Sequence, residues 1–131
     1  IKQRYVPPTV ISYDSVSDMS KSCLAKEEIF GPILYLCPYE DLNTCIEYIN
    51  ARDKPLALYY FGFNSKNKNE IRTKTSSGAF VCNDTLIQFF NHNLPFGGVG
   101  TSGYSAYHGK SGFDNMSHLK PCVESSGLLL P

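Results

Sequence analysis

The fold is decided by residues 33–61, ILYLCPYEDLNTCIEYINARDKPLALYYF. Ile33–Tyr39 is a short apolar run that predicts a strand. Asp41–Ala51 has the spacing of one buried helical face, with apolar side chains three, four and seven positions apart at Leu42, Cys45, Ile46 and Ile49. Leu56–Phe61 is almost continuously apolar, which is typical of a strand covered on both faces of a parallel sheet. Strand, helix and strand with short connections predict a right-handed βαβ crossover.

The same alternation continues on both sides of this stretch. Val6–Ile11 is a proline-led apolar run that predicts an earlier strand, and a polar stretch follows it. Downstream, Asn64 and Ser65 can cap a polar helix that runs to about Lys74. Ala79–Cys82 then predicts a further short strand. We therefore predict an α/β fold in which the strands form a parallel sheet.

The chain changes character after these elements. Residues 91–112 are rich in Gly, Asn, Ser, Tyr and His and have neither a helical nor a strand period. So long an irregular stretch is usually functional in a compact domain. We predict a short helix at Ser111–Met116 and a final strand at Leu119–Glu124. Asn83, directly after the strand predicted at Ala79–Cys82, is expected to position the backbone.

Composition narrows the classes of function. Twelve basic residues balance twelve acidic ones, so the chain lacks the excess positive charge that nucleic acids or anionic membranes attract. Its apolar runs are far shorter than the roughly 20 residues that span a bilayer. The five cysteines are irregularly spaced, with no C-x-x-C pair and no histidine at metal-ligand spacing. These features predict reduced, buried cysteines, an intracellular protein and no metal site.

Two adjacent carboxylates precede the first strand of the opening stretch, in Glu27-Glu28-Ile29-Phe30-Gly31-Pro32 (the hexapeptide). Taken alone, this pattern indicates either two solvated acids or a ligand-binding carboxylate at the mouth of a strand. The hexapeptide resembles the Glu-Glu-Ile-Phe-Gly-Pro signature of aldehyde dehydrogenases. The resemblance implies that Glu28 accepts hydrogen bonds from the ribose hydroxyls of NAD or NADP. It also implies that Phe30 packs beside the nicotinamide, with Glu27 structural.

A second segment, Leu94–Gly100, contains the sequence Pro-Phe-Gly-Gly. Alone, it is a glycine-rich surface loop whose backbone can turn closely against another group. It resembles a C-terminal signature of the same family, which implies that Phe96 lines the substrate channel. The chain resembles the class 3 and fatty-aldehyde branch in three further places: Tyr107-His108-Gly109-Lys110, Phe113 and Ser117-His118. His108 is accordingly either a substrate-channel residue or a hydrogen-bonded structural histidine.

The same loop contains a false motif. Gly98–Gly103 matches G-x-G-x-x-G, the fingerprint of dinucleotide-binding folds. The fingerprint works only where a strand ends and a helix begins, because the pyrophosphate binds at the helix N-terminus. The flanking residues do not predict that context, so we reject this interpretation.

The resemblance also implies residues that are not found in this sequence. In the family, a cysteine in a Gly-Gln-x-Cys context is the nucleophile, and a glutamate in Glu-Leu-Gly-Gly-Lys is the base. Neither motif occurs here. We therefore expect no catalytic residue in this chain, which would be the C-terminal portion of an NAD(P)-dependent enzyme that oxidises aldehydes to carboxylic acids. The alternative is a non-catalytic α/β binding or oligomerisation module that retains the family motifs as packing residues.

The implied organisation has three parts. Residues 1–90 would belong to the catalytic α/β domain, residues 91–117 would form an active-site loop with a short helix, and residues 118–131 would form an oligomerisation strand and tail. The implied partners are an aldehyde and a second subunit, giving a homodimer of the full enzyme. A cytoplasmic location is expected. Membrane attachment stays open, because the fatty-aldehyde branch can carry an apolar C-terminal anchor and Leu128–Pro131 is too short to judge.

Overall fold

The computed structural model describes residues 4–127 and divides the chain into two compact units. The first unit contains the residues up to Arg52 together with Asn69–Thr75, and the second contains Asp53–Lys68 together with the residues from Ser76 onward. In chain order the elements are β1 (Thr9–Ser12), α1 (Val16–Lys21), β2 (Ile33–Leu36), α2 (Leu42–Asn50), β3 (Ala57–Tyr60), α3 (Ser65–Lys74), β4 (Ala79–Cys82), α4 (Ile87–Phe90), β5 (Phe96–Gly97), β6 (Ala106–Tyr107) and α5 (Gly109–Asn115). Short 3-10 turns lie at Cys23–Lys26 and Gly100–Ser102.

The first unit is built on a parallel pair of strands. β1 and β2 pair in register along their whole lengths, Thr9 opposite Ile33 and Ser12 opposite Leu36. Apolar side chains from the helices are buried in this unit, Ile46 from α2 and Met19 from α1. The single stripe of apolar residues along α2 explains this burial, because it presents one face to the rest of the unit.

A carboxylate fixes the start of α2. Asp41 accepts hydrogen bonds from the backbone N–H groups of Asn43 (2.6 Å) and Thr44 (3.2 Å). The Thr44 hydroxyl donates to the same carboxylate at 2.7 Å. This hydroxyl, followed by the two N–H groups, holds the pKa of Asp41 below its usual value. The cap satisfies backbone donors that the first turn of a helix otherwise leaves unpaired.

The second unit contains a second parallel pair. β3 and β4 pair from Ala57 opposite Ala79 to Tyr60 opposite Cys82, and the chain passes through α3 between them. Gln88 of α4 is buried, and its side-chain amide donates to the Tyr59 hydroxyl at 2.9 Å. β5 and β6 form a separate antiparallel hairpin.

Much apolar surface stays exposed in the described residues. The buried apolar side chains are Met19, Ile46, Ile71 and Val81. By contrast, Phe30, Phe63 and Leu119 are each more than nine-tenths exposed. Large exposed apolar side chains in such number indicate surface that other polypeptide or a ligand covers.

The α/β class predicted from the sequence is confirmed. The predicted helix at Asp41–Ala51 is α2, and the polar helix ending near Lys74 is α3. The runs Leu56–Phe61 and Ala79–Cys82 contain β3 and β4. α2 was identified by its side-chain period, β3 and β4 by their apolar runs, and α3 by its capping residues.

The predicted crossover from β2 through α2 to β3 is wrong. β2 pairs with β1, and β3 pairs with β4, so the strands on either side of α2 belong to different sheets. Periodicity identifies a strand, but its partner is selected by contacts between residues distant in sequence. The run of strand and helix therefore gave the correct elements with the wrong pairing.

Four short elements were missed, and one predicted strand is absent. The polar stretch near Asp14 contains α1, whose start is capped by the Ser15 hydroxyl accepting from the Asp18 N–H (3.1 Å). α4 and the β5–β6 hairpin lie within segments that show no clear period. Residues 117–126 contain neither helix nor strand, so the strand predicted at Leu119–Glu124 does not form in the single chain. A strand needs a neighbouring strand for its hydrogen bonds, and none pairs with this segment among the described residues.

Candidate functional site

The hexapeptide links a 3-10 turn to β2 in the first unit. Its backbone is extended at Glu27, and it tightens where the Gly31 N–H donates to the Ile29 carbonyl at 2.9 Å. The Pro32 carbonyl then accepts from the Thr9 N–H at 2.8 Å, which continues the ladder of β1 and β2. The strand pair therefore anchors the C-terminal end of the hexapeptide, where Pro32 has no N–H to contribute.

The side chains of the hexapeptide alternate in exposure. Ile29 is half-buried, whereas Glu28 and Phe30 on either side of it are exposed, Phe30 to 94%. Within the described residues, the Glu28 carboxylate has no hydrogen bond or ion pair. A free carboxylate and a free aromatic ring two residues apart can therefore meet a ligand without first breaking a contact of this chain.

The second predicted pair, Phe96 and His108, lies in the second unit on the β5–β6 hairpin. Phe96 begins β5 and pairs with Tyr107 of β6, and His108 follows directly. The rings of Phe96 and His108 are nearly parallel, with centroids 5.8 Å apart and an interplanar angle of 27°. The structure thus brings these two predicted residues together.

Further aromatic rings surround this pair. Phe89 of α4 meets Phe96 edge-on with centroids 5.2 Å apart, and Tyr107 does so at 5.7 Å. His92 lies 4.7 Å from His108, centroid to centroid. We call Phe89, His92, Phe96, Tyr107 and His108 the hairpin cluster. Edge-on and offset ring pairs of this kind are favourable beyond the area that they bury.

His108 is the most constrained member of the hairpin cluster. Its backbone has φ 86°, a left-handed value that is unusual for a residue other than glycine. Its Nδ1 atom is buried and has no hydrogen-bond partner in the described part of the chain. A buried nitrogen without a partner is costly, which is typical of functional positions.

The two glycines of Pro-Phe-Gly-Gly are required by close backbone approach. A Cβ atom on Gly97 would fall inside contact distance of the Ser105 carbonyl oxygen, and one on Gly98 would do the same at Ser102. The Ser102 hydroxyl also accepts from the Val99 N–H at 2.9 Å. The glycines therefore let the turn between β5 and β6 fold back on itself.

The rejected G-x-G-x-x-G motif lies in this same turn. Its residues run from the end of β5 through the 3-10 turn Gly100–Ser102, and β6 follows. Because no α-helix begins there, the turn offers no helix N-terminus to a pyrophosphate. The structure agrees with the sequence on this point.

Asn83 has the positioning role that was expected of it. It follows β4 with φ 57°. Its side-chain amide makes two hydrogen bonds with the backbone of Gly62. The Gly62 N–H donates to Asn83 Oδ1 at 2.7 Å, and Asn83 Nδ2 donates to the Gly62 carbonyl at 3.1 Å. These two hydrogen bonds tie together the carboxyl ends of β3 and β4, where α/β folds commonly bind ligands.

The sequence missed two members of the hairpin cluster. Phe89 belongs to a four-residue helix too short to show a period, and His92 stood alone in an irregular stretch. The signal that was available for Phe89 is the pair of aromatic residues Phe89-Phe90 seven residues before Phe96. In the described residues no group of three or more His, Cys, Asp or Glu side chains could hold a metal ion. No helix there is long and apolar enough to cross a bilayer.

Comparison with known proteins identifies the class. The model of the aldehyde dehydrogenase family matches residues 1–122. The chain therefore belongs to the aldehyde dehydrogenase family, whose members are NAD(P)-dependent oxidoreductases. The family predicted from the hexapeptide and from Pro-Phe-Gly-Gly is confirmed.

Two relatives show how much of a known aldehyde dehydrogenase this chain matches. Aldehyde dehydrogenase family 3 member A2 of Pongo abelii is 46% identical over 123 residues, which are 94% of this chain and 24% of the relative. The dimeric NADP-preferring aldehyde dehydrogenase of Canis lupus familiaris is 40% identical over 120 residues, 92% of this chain and 26% of that protein. The chain thus spans about a quarter of the length of the curated relatives that it matches.

A solved structure shows the same fold. The substrate-bound state of Staphylococcus aureus AldH matches with a TM-score of 0.82 and 39% sequence identity. The match covers 99% of this chain and 29% of that one. The α/β architecture described above accordingly matches part of the fold of that protein.

Proposed function

We propose that this chain forms one wall of the cofactor site and one wall of the aldehyde channel of an NAD(P)-dependent aldehyde dehydrogenase. Glu28 and Phe30 provide the first wall, and Phe96 and His108 provide the second. The observation that carries the proposal is the free, exposed Glu28 carboxylate within the family hexapeptide. The nucleophilic thiol and the general base come from polypeptide outside these residues, because their motifs are absent from this sequence.

The cofactor wall fits the chemistry of a ribose. A carboxylate can accept hydrogen bonds from two vicinal hydroxyls, and bonds to a charged acceptor are stronger than neutral ones. Glu28 has no competing partner among the described residues, so no intramolecular bond must break first. The ring of Phe30 offers a large exposed apolar face at two residues' distance. NAD(P)+ bound at this wall would supply the hydride acceptor, with Glu28 and Phe30 holding it.

The aromatic ring and the imidazole of the substrate wall suit a substrate with an apolar body and a polar end. Phe96 presents a half-buried ring packed by Phe89 and Tyr107, so its position is fixed before a ligand arrives. His108 adds an imidazole stacked on Phe96. A preorganised aromatic wall loses little conformational freedom on binding. This arrangement supports a channel role for both residues.

The exposed apolar side chains support an assembly larger than this chain. Phe63 and Leu119 are almost fully exposed, and the relatives are about four times as long as the matched region. We propose that other polypeptide of the enzyme covers this surface. We also propose a homodimer in which Leu119–Glu124 pairs with the second subunit, since a relative is named as dimeric.

The test is a charge-neutral substitution at Glu28 with a matched control beside it. Glu28→Gln and Glu27→Gln are made at the matching glutamates of a full-length relative, and the Kd for NAD+ and NADP+ is measured by fluorescence titration. Loss of a charged hydrogen bond costs about 1.5–3 kcal/mol, so Glu28→Gln should raise Kd by roughly one to two orders of magnitude. Glu27→Gln should leave Kd within about twofold. Equal effects at the two positions, or none at either, would contradict the cofactor role.

The non-catalytic module is the second candidate. It makes the opposite prediction for Glu28, whose substitution would change neither cofactor affinity nor turnover. The chain of 131 residues can also be assayed alone with hexanal, benzaldehyde and NAD+. NADH production that requires one of its own cysteines would contradict the assignment of the nucleophile to other polypeptide.

A further inference from the structure

A cavity of about 320 Å³ lies within the first unit, and none of its lining residues belongs to either proposed wall. Its lining comes from α1, β2, α2 and the residues directly after β2, and includes Met19, Tyr35, Cys37, Cys45, Tyr48 and Ile49. The surface of the cavity is mainly apolar. Two lining residues also contact each other, because the Tyr48 hydroxyl donates to the Met19 sulfur at 3.8 Å.

Two of the five cysteines line this one cavity. Cys37 is the first residue after β2, and Cys45 lies on α2 next to the buried Ile46. Both thiols are half-buried, whereas Cys23, Cys82 and Cys122 are exposed. Eight positions along the chain separate the two thiols, and the turn from β2 into α2 returns them to the same space.

The two thiols also interact electrostatically. Burial raises the pKa of the Cys45 thiol, and a thiolate on Cys37 raises it further. Burial therefore disfavours the thiolate form of Cys45.

We propose that Cys37 and Cys45 form a redox-active pair that a hydroperoxide converts to an intramolecular disulfide. The Cys37 thiolate attacks the peroxide, its O–O bond breaks, and an alcohol or water leaves with one oxygen while Cys37 becomes a sulfenic acid. The sulfur of Cys45 then displaces hydroxide from Cys37, forming the S–S bond, and its proton leaves as part of water. Two sulfurs lose two electrons in total, and the peroxide gains both.

The disulfide would tie the end of β2 to α2 across the cavity. A disulfide closing so short a loop has little effect on chain entropy compared with a long loop. Its main consequence is geometric, because it fixes the connection between the strand that follows the hexapeptide and the helix packed in the same unit. The cavity provides the space in which the two side chains can rotate toward each other.

The test is peptide mapping of the folded chain after hydrogen peroxide treatment. Free thiols are first blocked with iodoacetamide, and trypsin then releases Glu27–Arg52, which contains both cysteines and no internal lysine or arginine. We expect this peptide to become two hydrogen masses lighter and to carry no alkyl group. Dithiothreitol should restore the original mass and alkylation of both thiols. Cys82 and Cys122 should stay alkylated at a low peroxide dose.

Matched variants complete the experiment. Cys37→Ser and Cys45→Ser should each abolish the lighter peptide and leave the remaining thiol open to alkylation, whereas Cys82→Ser should change nothing. Cys45→Ala is a second replacement in case the serine disturbs the apolar cavity. Linkage of either residue to Cys23, oxidation of Cys37 and Cys45 to separate sulfinic acids, or full alkylation of both after treatment would overturn the proposal.

Discussion

The hexapeptide and the hairpin cluster hold their proposed ligand-facing residues in opposite ways. In the hexapeptide, Glu28 and Phe30 are exposed, and among the described residues neither has a hydrogen-bond, ion-pair or ring partner. In the hairpin cluster, Phe96 and His108 are half-buried and contact other rings. The first region depends on other polypeptide or a ligand to order its side chains, whereas the second is ordered by the chain itself.

This difference has a physical origin in what each residue meets. A carboxylate that must accept hydrogen bonds from a ligand is most useful when no protein group occupies it. An aromatic channel wall is most useful when its position is fixed in advance. The comparison therefore predicts that equivalent substitutions in the two regions will have unequal effects on stability, and it can be tested residue type by residue type.

The largest difference is expected at the glycines. Gly98→Ala should destabilise the chain by about 3 kcal/mol, since its Cβ would overlap the Ser102 carbonyl and force the hairpin turn to shift. Gly31→Ala in the hexapeptide should change the free energy of unfolding by less than about 0.5 kcal/mol. Its Cβ would meet only the Ile29 side chain, at an ordinary 3.7 Å. Urea unfolding followed by tyrosine fluorescence measures both, and equal losses would mean that the turn can relax.

The phenylalanines come next. Phe96→Ala removes three ring contacts and should cost about 2 kcal/mol, less than the 3–5 kcal/mol typical of a fully buried ring, because Phe96 is only half-buried. Phe30→Ala should have almost no effect on stability, since that ring is 94% exposed. The same unfolding measurement applies. A loss at Phe30 comparable to the loss at Phe96 would show that the hexapeptide is packed in solution.

The same comparison shows what the sequence could predict and what it could not. The helix at Leu42–Asn50 followed from periodicity, because burial of one face leaves a regular pattern, and the strands at Ala57–Tyr60 and Ala79–Cys82 followed from their short apolar runs. The pairing of β2 with β1 did not, since it depends on contacts that no local pattern records.

The candidate site was predictable to a similar degree. Short motifs predicted Glu28, Phe30, Phe96 and His108, and the structure brings Phe96 and His108 into contact. Phe89 and His92 were not found, because they enter the hairpin cluster by spatial contact alone. Short sequence motifs therefore indicate some candidate site residues, whereas only the fold shows which other residues surround them.

The smallest expected difference is between two carboxylates of the first unit, Asp41 and Glu28. The pKa of Asp41 is lowered in the folded chain by the Thr44 hydroxyl and by the backbone N–H groups at the start of α2. Its contribution to stability is therefore complete above its unfolded pKa of about 3.9 and is lost as the pH falls through the lower folded value. Asp41→Asn keeps a capping oxygen but removes the charge, so it should flatten the decline of stability with falling pH in that window. Glu28→Gln, which removes a carboxylate without a hydrogen bond or ion pair in the described residues, is the matched control. Urea midpoints between about pH 2.5 and pH 5 measure the two slopes, and identical slopes for Asp41→Asn and the original chain would show that the cap does not contribute through its charge.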